Sequence, residues 1–201
     1  MKTIHILIFI FFALFLGNLN NSYADPYNCF NFQDTTKCPL VHNLHSFNIP
    51  GCPDCTITVE YQSGDCDEIP PPPHKGGCLL KINSINLSGN CSNCPYTVNE
   101  LINLSAVELL KNIQNLLSCS VEGDTIKSVD VYNAPCMKWV GELGTHEPTN
   151  ATLVPCLSDG CCVTHYLLVR QPGDIWTVTR LFQQVVGICS DPSPDCFTTC
   201  E

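Results

Sequence analysis

The chain has 201 residues, among them 16 cysteines, 9 Lys or Arg and 19 Asp or Glu, so its formal net charge is −10. Charged residues make up only 14% of the sequence, and the few basic ones form no cluster. Nucleic acid and anionic membrane surfaces, which attract basic patches, are therefore excluded as expected partners.

Residues 1–24 are typical of a secretory signal peptide. Lys2 precedes an apolar run over residues 6–16, and Ser22 and Ala24 precede a predicted cleavage before Asp25. The apolar run is about half of the roughly 20 residues that a membrane-spanning helix needs. We therefore expect the mature protein to be secreted, extracellular or at the cell surface, without a membrane span.

All 16 cysteines follow residue 24, in a chain expected to enter an oxidising compartment. Such a density of cysteines predicts a disulfide framework, whose pairing the sequence leaves open. At roughly 2 to 4 kcal/mol per bridge, it would rival a hydrophobic core in its contribution to stability. The cysteines are Cys29, Cys38, Cys52, Cys55, Cys66, Cys78, Cys91, Cys94, Cys119, Cys136, Cys156, Cys161, Cys162, Cys189, Cys196 and Cys200.

The first part of the mature chain, residues 25–53, is rich in Asn, Pro, Asp and Cys, so we expect an irregular segment there. Strands are predicted over residues 56–61 and 78–87, the second with a phase slip near Asn83 that indicates a bulge. Four prolines at residues 70–73 favour a stiff polyproline loop between them. Its alternative role is that of a ligand for the aromatic groove of a partner.

One amphipathic helix is predicted at residues 97–118. Thr97 and Glu100 have the spacing of a capping box, in which each side chain satisfies a backbone N–H group at the helix start. Apolar residues then recur every three or four positions as far as Leu117. We expect this apolar stripe to pack on a sheet.

The C-terminal third is predicted to be β again. The sequence QPGD at residues 171–174 places Pro172 and Gly173 at the centre of a type II turn, so residues 162–186 should form a hairpin. Simple alternation would put Trp176 and Phe182 on one side of its second strand. The predicted strands are residues 125–132, 137–140, 161–170 and 175–186.

Two CxxC pairs, CPDC at residues 52–55 and CSNC at residues 91–94, could hold a zinc ion through four thiolates. Behind a signal peptide we favour oxidised cysteines instead. A thioredoxin-like redox pair is a further alternative for CSNC, which precedes the helix, although no βαβ pattern surrounds it. The sequence thus predicts no metal and no cofactor.

Other polar residues give only weak indications of metal binding, catalysis or glycosylation. His42 and His45 lack a third metal ligand, and the acidic pairs Asp65 with Asp67 and Asp191 with Asp195 lack a complete calcium-loop signature. No nucleophile elbow is present, so we expect no catalytic residue and no enzyme activity. N-x-S/T sequons make four asparagines candidate glycosylation sites: Asn86, Asn90, Asn103 and Asn150.

Cys161 and Cys162 are adjacent in the segment GCCVTHYLLV at residues 160–169. Consecutive strand residues point to opposite faces, so we expect the two cysteines to bond different partners on the two sides of a sheet. With CTITVEY and APCMKW, the motif of Gly-Cys-Cys, three residues and then Tyr166 resembles uncharacterised cysteine-rich secreted proteins of bacteria. The resemblance implies an extracellular location and no particular activity.

The sequence as a whole predicts an α+β fold: a disulfide-rich antiparallel sheet or small sandwich over residues 54–201, with one long helix. For function we expect a non-catalytic extracellular structural or surface protein, such as a subunit of a fibre or matrix, whose partner is itself or another extracellular protein or glycan. One alternative is a secreted protein- or glycan-binding module using Trp139, Tyr166, Trp176 and the proline loop. A second is a secreted enzyme or thiol redox protein.

Overall fold

The structure, a computed structural model, describes residues 38–69, 74–92, 94–142, 149–156, 159–189 and 193–200. Strands account for most of them, and two short helices lie between β3 and β4. The predicted signal peptide and the proline loop at residues 70–73 lie outside the described residues. The strands are β1 (Val41–Ile49), β2 (Cys52–Ile69), β3 (His74–Gly89), β4 (Ile126–Asn133), β5 (Cys136–Glu142), β6 (Thr149–Pro155), β7 (Asp159–Gln171), β8 (Ile175–Ile188) and β9 (Phe197–Thr198), and the helices are α1 (Val98–Lys111) and α2 (Ile113–Leu116).

The strands form one nine-stranded sheet that branches at β3. On one side β3 pairs with β2, which in turn pairs with β1. On the other side one part of β3 leads to β4, β7 and β8, and another part leads to β6, β5 and β9. The predicted disulfide-rich β fold is confirmed. Its pairing is antiparallel except between β3 and β4, which are parallel and are connected through the helices.

A bulge in β3 lies where this strand changes partner. Glu60 pairs with Ser84 and Tyr61 pairs with Ile82, so Asn83 has no opposite residue in β2. Residues 78–81 pair with β4, whereas residues 85–89 pair with β6. The phase slip predicted near Asn83 is therefore confirmed, and it marks the branch point of the sheet.

The prediction of one long helix over residues 97–118 is wrong. The capping box of Thr97 and Glu100 is present, but α1 ends at Lys111 and the single turn α2 follows after Asn112. The Asn112 side chain donates to the Glu108 carbonyl at 3.1 Å, and its backbone N–H donates to Leu109 and Leu110. Asparagine competes in this way with regular helical bonding, so the apolar periodicity continues through a break in the helix.

Alternate side chains of β2 form hydrogen bonds with the backbone from the end of α2 to Ser120. The Tyr61 hydroxyl donates to the Leu116 carbonyl at 2.5 Å, and the Ser63 hydroxyl accepts from the Ser118 N–H at 2.9 Å. Two positions further, the Asp65 carboxylate accepts from the Ser120 N–H at 2.5 Å. This two-residue repeat fixes the register of the connection that leads back to β4.

The hairpin of β7 and β8 forms where it was predicted, but its turn and the facing of its aromatic residues differ from the prediction. Gly173 has a φ of +85°, as expected for the third position of a type II turn, but Asp174 also has a positive φ of 62° and Gln171 pairs with Ile175, so three residues connect the strands. Tyr166 pairs with Arg180 and His165 pairs with Phe182, so Leu181 is an extra residue on β8. This bulge reverses the alternation. Trp176 is consequently buried on one face, whereas Phe182 lies exposed on the other.

Each face of the sheet has a core of its own. The larger one packs α1 and α2 against β1 to β4 and against the start of the β7–β8 hairpin, with Leu80, Leu109 and Trp176 among its members. The smaller one lies on the opposite face around Leu79 and Val163. The sheet is therefore a divider between two apolar layers, and β3 and β7 contribute side chains to both.

Two strands lie in segments for which no strand was predicted. β1 covers part of the segment that we expected to be irregular, and β6 had no predicted counterpart. Among the described residues, neither helix has the length and apolar composition needed to cross a membrane.

Candidate functional site

Seven disulfides join 14 of the described cysteines, and they indicate that the chain folds in an oxidising environment. Cys161 is disulfide-bonded as well, to a partner outside the described residues. Cys29 lies outside them too. The pairs are Cys38–Cys66, Cys52–Cys94, Cys55–Cys91, Cys78–Cys119, Cys136–Cys189, Cys156–Cys196 and Cys162–Cys200.

The two CxxC turns are joined to each other. Cys52 bonds Cys94 and Cys55 bonds Cys91, so two nested bridges connect the start of β2 to the loop that precedes α1. The two CxxC pairs thus lie close together in the fold, as a four-thiolate zinc site would also require. Because each sulfur is used in a disulfide, the arrangement offers neither a zinc ligand nor a CxxC redox pair.

Cys161 and Cys162 are not bonded to each other, because Cys162 bonds Cys200. Cys161 belongs to the smaller core on one face, while the Cys162 sulfur lies near Thr199 on the other. The preceding Gly160 has a φ of +148°, and a Cβ there would lie 2.1 Å from the Val186 carbonyl oxygen. The Gly-Cys-Cys motif therefore combines a close approach of β8 with one cross-link on each face.

The other metal candidates do not assemble either. His42 pairs with Glu60 at 2.8 Å, and His45 stacks on Phe47 from a different face of β1. Asp65 lies near Cys78 and Cys119, but those two sulfurs are bonded to each other. Of the remaining acidic candidates, Asp195 is exposed, whereas the side chains of Asp67 and Asp191 lie outside the described set.

The sequon asparagines lie in different environments. Asn90, Asn103 and Asn150 are exposed. Asn86 is half-buried in β3 and donates to the Thr152 hydroxyl at 2.9 Å. Asn103 accepts from the Tyr166 hydroxyl at 2.9 Å, which leaves its Nδ2 directed away from that bond. Three of the four sites are thus accessible, and whether they carry sugar stays a prediction.

The aromatic residues considered for a binding surface do not form one. Tyr166 and Trp176 are both buried, and Trp139 is partly buried against the larger core. The Tyr166 hydroxyl donates to Asn103 and the residue lines a pocket. Of these three rings only Trp139 is partly exposed, so they do not form a joint surface for stacking against a glycan.

A polar pocket of about 270 Å³ opens between the N-terminal half of α1 and the strands β4, β7 and β8. Thr164, Tyr166, Asn133 and Thr199 are buried at its floor. Asn133 donates to the Thr199 hydroxyl at 3.1 Å, and the Gln183 amide donates to the Thr164 hydroxyl at 3.1 Å. The floor is therefore ordered by hydrogen bonds between side chains from four separate parts of the chain.

Charges lie at two places in the lining of the pocket. Arg180 is exposed and donates to the Gln183 Oε1 at 3.3 Å. Glu100 belongs to the capping box, where the N–H and hydroxyl of Thr97 lower the pKa of its carboxyl. Burial raises the pKa of the Tyr166 hydroxyl to about 12, although the positive charge of Arg180 opposes the shift. Tyr166 is thus a neutral hydrogen-bonding group at physiological pH.

The outer strands of the sheet form a second feature of interest. Among the described strands β1 pairs only with β2, and β8 pairs only with β7. Neither strand contains Lys, Asp, Glu or Pro. β8 exposes four large apolar side chains: Ile175, Leu181, Phe182 and Val185.

The sequence did not point to either feature. Arg180 and Gln183 have no motif around them, and they reach the pocket only because the bulge at Leu181 shifts the alternation of β8. Tyr166 was singled out as an aromatic surface residue rather than as a buried hydroxyl. Comparison with protein-family profiles, with curated proteins and with solved structures finds no match to this chain.

Proposed function

We propose that the protein is a secreted, non-catalytic structural or surface protein that assembles with further copies of itself through the edges of its sheet. The observation that carries the proposal is the composition of the outer strands. Natural edge strands are protected by lysines, prolines or inward charges, which prevent pairing with other chains. β1 and β8 contain no Lys, Asp, Glu or Pro, and their one charged residue is Arg180 on β8.

The exposed side chains of β8 support pairing at this edge. On strand addition, side chains of the added strand would cover part of Ile175, Leu181, Phe182 and Val185, which is favourable at about 25 cal/mol per Å² of apolar surface removed from water. The only charge on β8 is Arg180, although the chain as a whole is strongly acidic. Two copies can therefore approach at β8 without opposing carboxylates on the paired strand.

The disulfide framework supports the same role. Bridges tie β2 to the loop before α1, and they tie β5, β6 and β7 to the C-terminal residues. A cross-linked domain resists the local unfolding that would otherwise accompany an exposed edge. Secretion itself is tested by sequencing the N-terminus of the exported protein, which should begin at Asp25.

Assembly is tested with matched lysine substitutions. Val185→Lys places a charge on the β8 edge, and Val140→Lys places the same charge on β5, at a valine that is equally exposed (52% for each). Burying an unpaired ammonium group costs more than about 1.4 kcal/mol, so Val185→Lys should weaken self-association at least about tenfold. Val140→Lys should leave it unchanged.

The measurement is sedimentation velocity over a wide concentration range, together with electron microscopy of concentrated samples. Concentration-dependent dimers or fibres that Val185→Lys suppresses would support the proposal. A wild-type protein that stays monomeric at millimolar concentration, without fibres, would contradict it. So would equal association of the wild type and both variants.

A further inference from the structure

The pocket between α1 and the sheet has the chemistry of a binding site, and its key charge has no carboxylate partner among the residues that the structure describes. The chain contains two arginines, Arg170 and Arg180. Arg170 donates twice to Asp174, at 3.0 and 2.6 Å, and lies 5.9 Å from the Trp176 ring centroid. Arg180 forms no ion pair among the described residues and makes one hydrogen bond, to Gln183.

An unpaired guanidinium is unusual in a chain of net charge −10, because carboxylates outnumber cations two to one. It leaves several N–H groups of Arg180 free to donate at the rim of the pocket. Guanidinium groups bind carboxylates through paired, charge-assisted hydrogen bonds. The Glu100 carboxylate, the other charge in the lining, accepts from the N–H and the hydroxyl of Thr97 at 2.7 and 2.9 Å, so the rim at Arg180 is the part suited to a ligand that carries a carboxylate.

The rest of the lining is suited to hydroxyl groups. Asn103 uses its Oδ1 to accept from Tyr166, which leaves its Nδ2 as a donor. Thr164 uses its oxygen to accept from Gln183, which leaves its hydroxyl proton as a donor. The Tyr166 oxygen retains acceptor capacity. The wall thus offers both donors and acceptors. A hydroxyl group both donates and accepts, so this lining is suited to a ligand with several hydroxyl groups.

The size and the apolar part of the pocket limit the ligand further. A volume of about 270 Å³ lies just below the range of roughly 300 to 1,000 Å³ that holds drug-sized molecules. Ile102, Ala106 and Val131 provide a small apolar wall suited to the C–H groups of a ring. A single sugar ring meets both conditions, whereas a peptide or an oligosaccharide could enter only by one terminal unit.

We propose that this pocket binds one acidic sugar unit, with its carboxylate on Arg180 and its hydroxyl groups on Asn103, Thr164 and Tyr166. The unit is either a free uronic acid or the terminal unit of a chain of such sugars. Arg180 lies on β8, the strand proposed for assembly, but uronate binding is measured by calorimetry and assembly by sedimentation, so failure of one proposal is distinguishable from failure of the other.

The test is isothermal titration calorimetry with the whole mature protein. Asn103 is also a sequon, and a sugar on its Nδ2 would remove a proposed donor, so the protein is produced in a bacterial periplasm and its intact mass is checked. The probes are glucuronate, galacturonate, glucose and acetate. One of the uronates should bind saturably, and glucose and acetate should each bind at least about tenfold more weakly, because each offers only half of the recognised chemistry.

Substitutions at the two arginines locate the binding. Arg180→Gln should weaken uronate binding at least about tenfold, Arg180→Lys should weaken it less because the charge remains, and Arg170→Gln should leave it within about twofold. Near-UV circular dichroism checks that each variant is folded. A short oligouronide that binds at least as tightly as the monomer would identify a chain end as the source, and weaker binding would identify the free acid.

Several results would overturn the proposal. One is the absence of saturable binding of either uronate. A second is equal binding of glucose, which would make the charge irrelevant. A third is uronate binding that survives Arg180→Gln in a folded protein, because the carboxylate would then lie elsewhere.

Discussion

The nested bridges of the CxxC pairs lead to a quantitative prediction about stability. Cys55–Cys91 spans 36 residues of sequence, and Cys52–Cys94 encloses it with a span of 42 residues. A bridge stabilises the fold mainly by restricting the unfolded chain. Once one of these two bridges is formed, the other closes a ring of only about eight residues in that chain. We consider the paired substitutions Cys52→Ala with Cys94→Ala, Cys55→Ala with Cys91→Ala, and all four together.

The chain-entropy relation gives the magnitudes. Closing a loop of 36 or 42 residues stabilises the folded state by about 4 kcal/mol, and closing the small ring adds about 2.5 kcal/mol. Removing either bridge should therefore cost only about 2.5 kcal/mol, whereas removing both should cost about 6 kcal/mol. The loss from the double removal should exceed the sum of the single losses by about 1 kcal/mol.

Cys78–Cys119 provides the control, because it spans 41 residues and no second bridge is nested with it. Replacing this pair by alanines should cost about 4 kcal/mol, clearly more than the loss of either nested bridge. Cys52 and Cys94 are only partly buried, so their replacement adds little loss of packing.

The assay is equilibrium unfolding in guanidinium chloride without reductant, followed by far-UV circular dichroism. The free energy of unfolding of each variant is extrapolated to zero denaturant with that variant's own slope, because removal of a bridge makes the unfolded chain less compact and should increase the slope. If Cys52→Ala with Cys94→Ala costs as much as the control, or if the two nested bridges contribute additively, the argument from loop length is refuted.

Three further predictions follow from particular residues. In thermal denaturation, Gly160→Ala should destabilise the protein by about 1 to 3 kcal/mol more than Gly123→Ala. Both glycines have positive φ, but only at Gly160 would the added Cβ lie 2.1 Å from a carbonyl oxygen, that of Val186. Equal losses would show that the approach of Val186 is unimportant. Burial raises the pKa of Tyr166 to about 12, so absorbance at 295 nm should show an ionisation near pH 12 that Tyr166→Phe removes. Because an unfolded tyrosine ionises near pH 10, the contribution of Tyr166 to stability is complete below about pH 10 and is lost as the pH rises to about 12. A free energy of unfolding that stays constant over that interval would contradict the burial of Tyr166. Thiol titration of the denatured, unreduced protein should find less than one free cysteine per chain, in agreement with the absence of free thiols among the described residues, and a stoichiometric thiol would show that a bridge is missing.

The predictions that proved correct depend on short-range rules. The capping box at Thr97, the location of the hairpin at Gly173 and the slip at Asn83 each involve only a few neighbouring residues, whose backbone preferences are visible in the sequence. The helix prediction was wrong because a local hydrogen bond of one side chain overrides the apolar periodicity. Apolar periodicity continues past Asn112, but one side chain that bonds its own backbone ends α1.

The sequence by itself determined that this chain is a disulfide-rich β protein, because cysteine number and strand alternation can be counted along the chain. The tertiary structure alone decided which cysteines pair, where β3 changes partner, and that Arg180 meets Asn103, Thr164 and Tyr166 at one pocket. These contacts join residues that are far apart in sequence. Their geometry depends on the sheet order and on the bulge at Leu181 in β8, and no local pattern in the sequence records either of them.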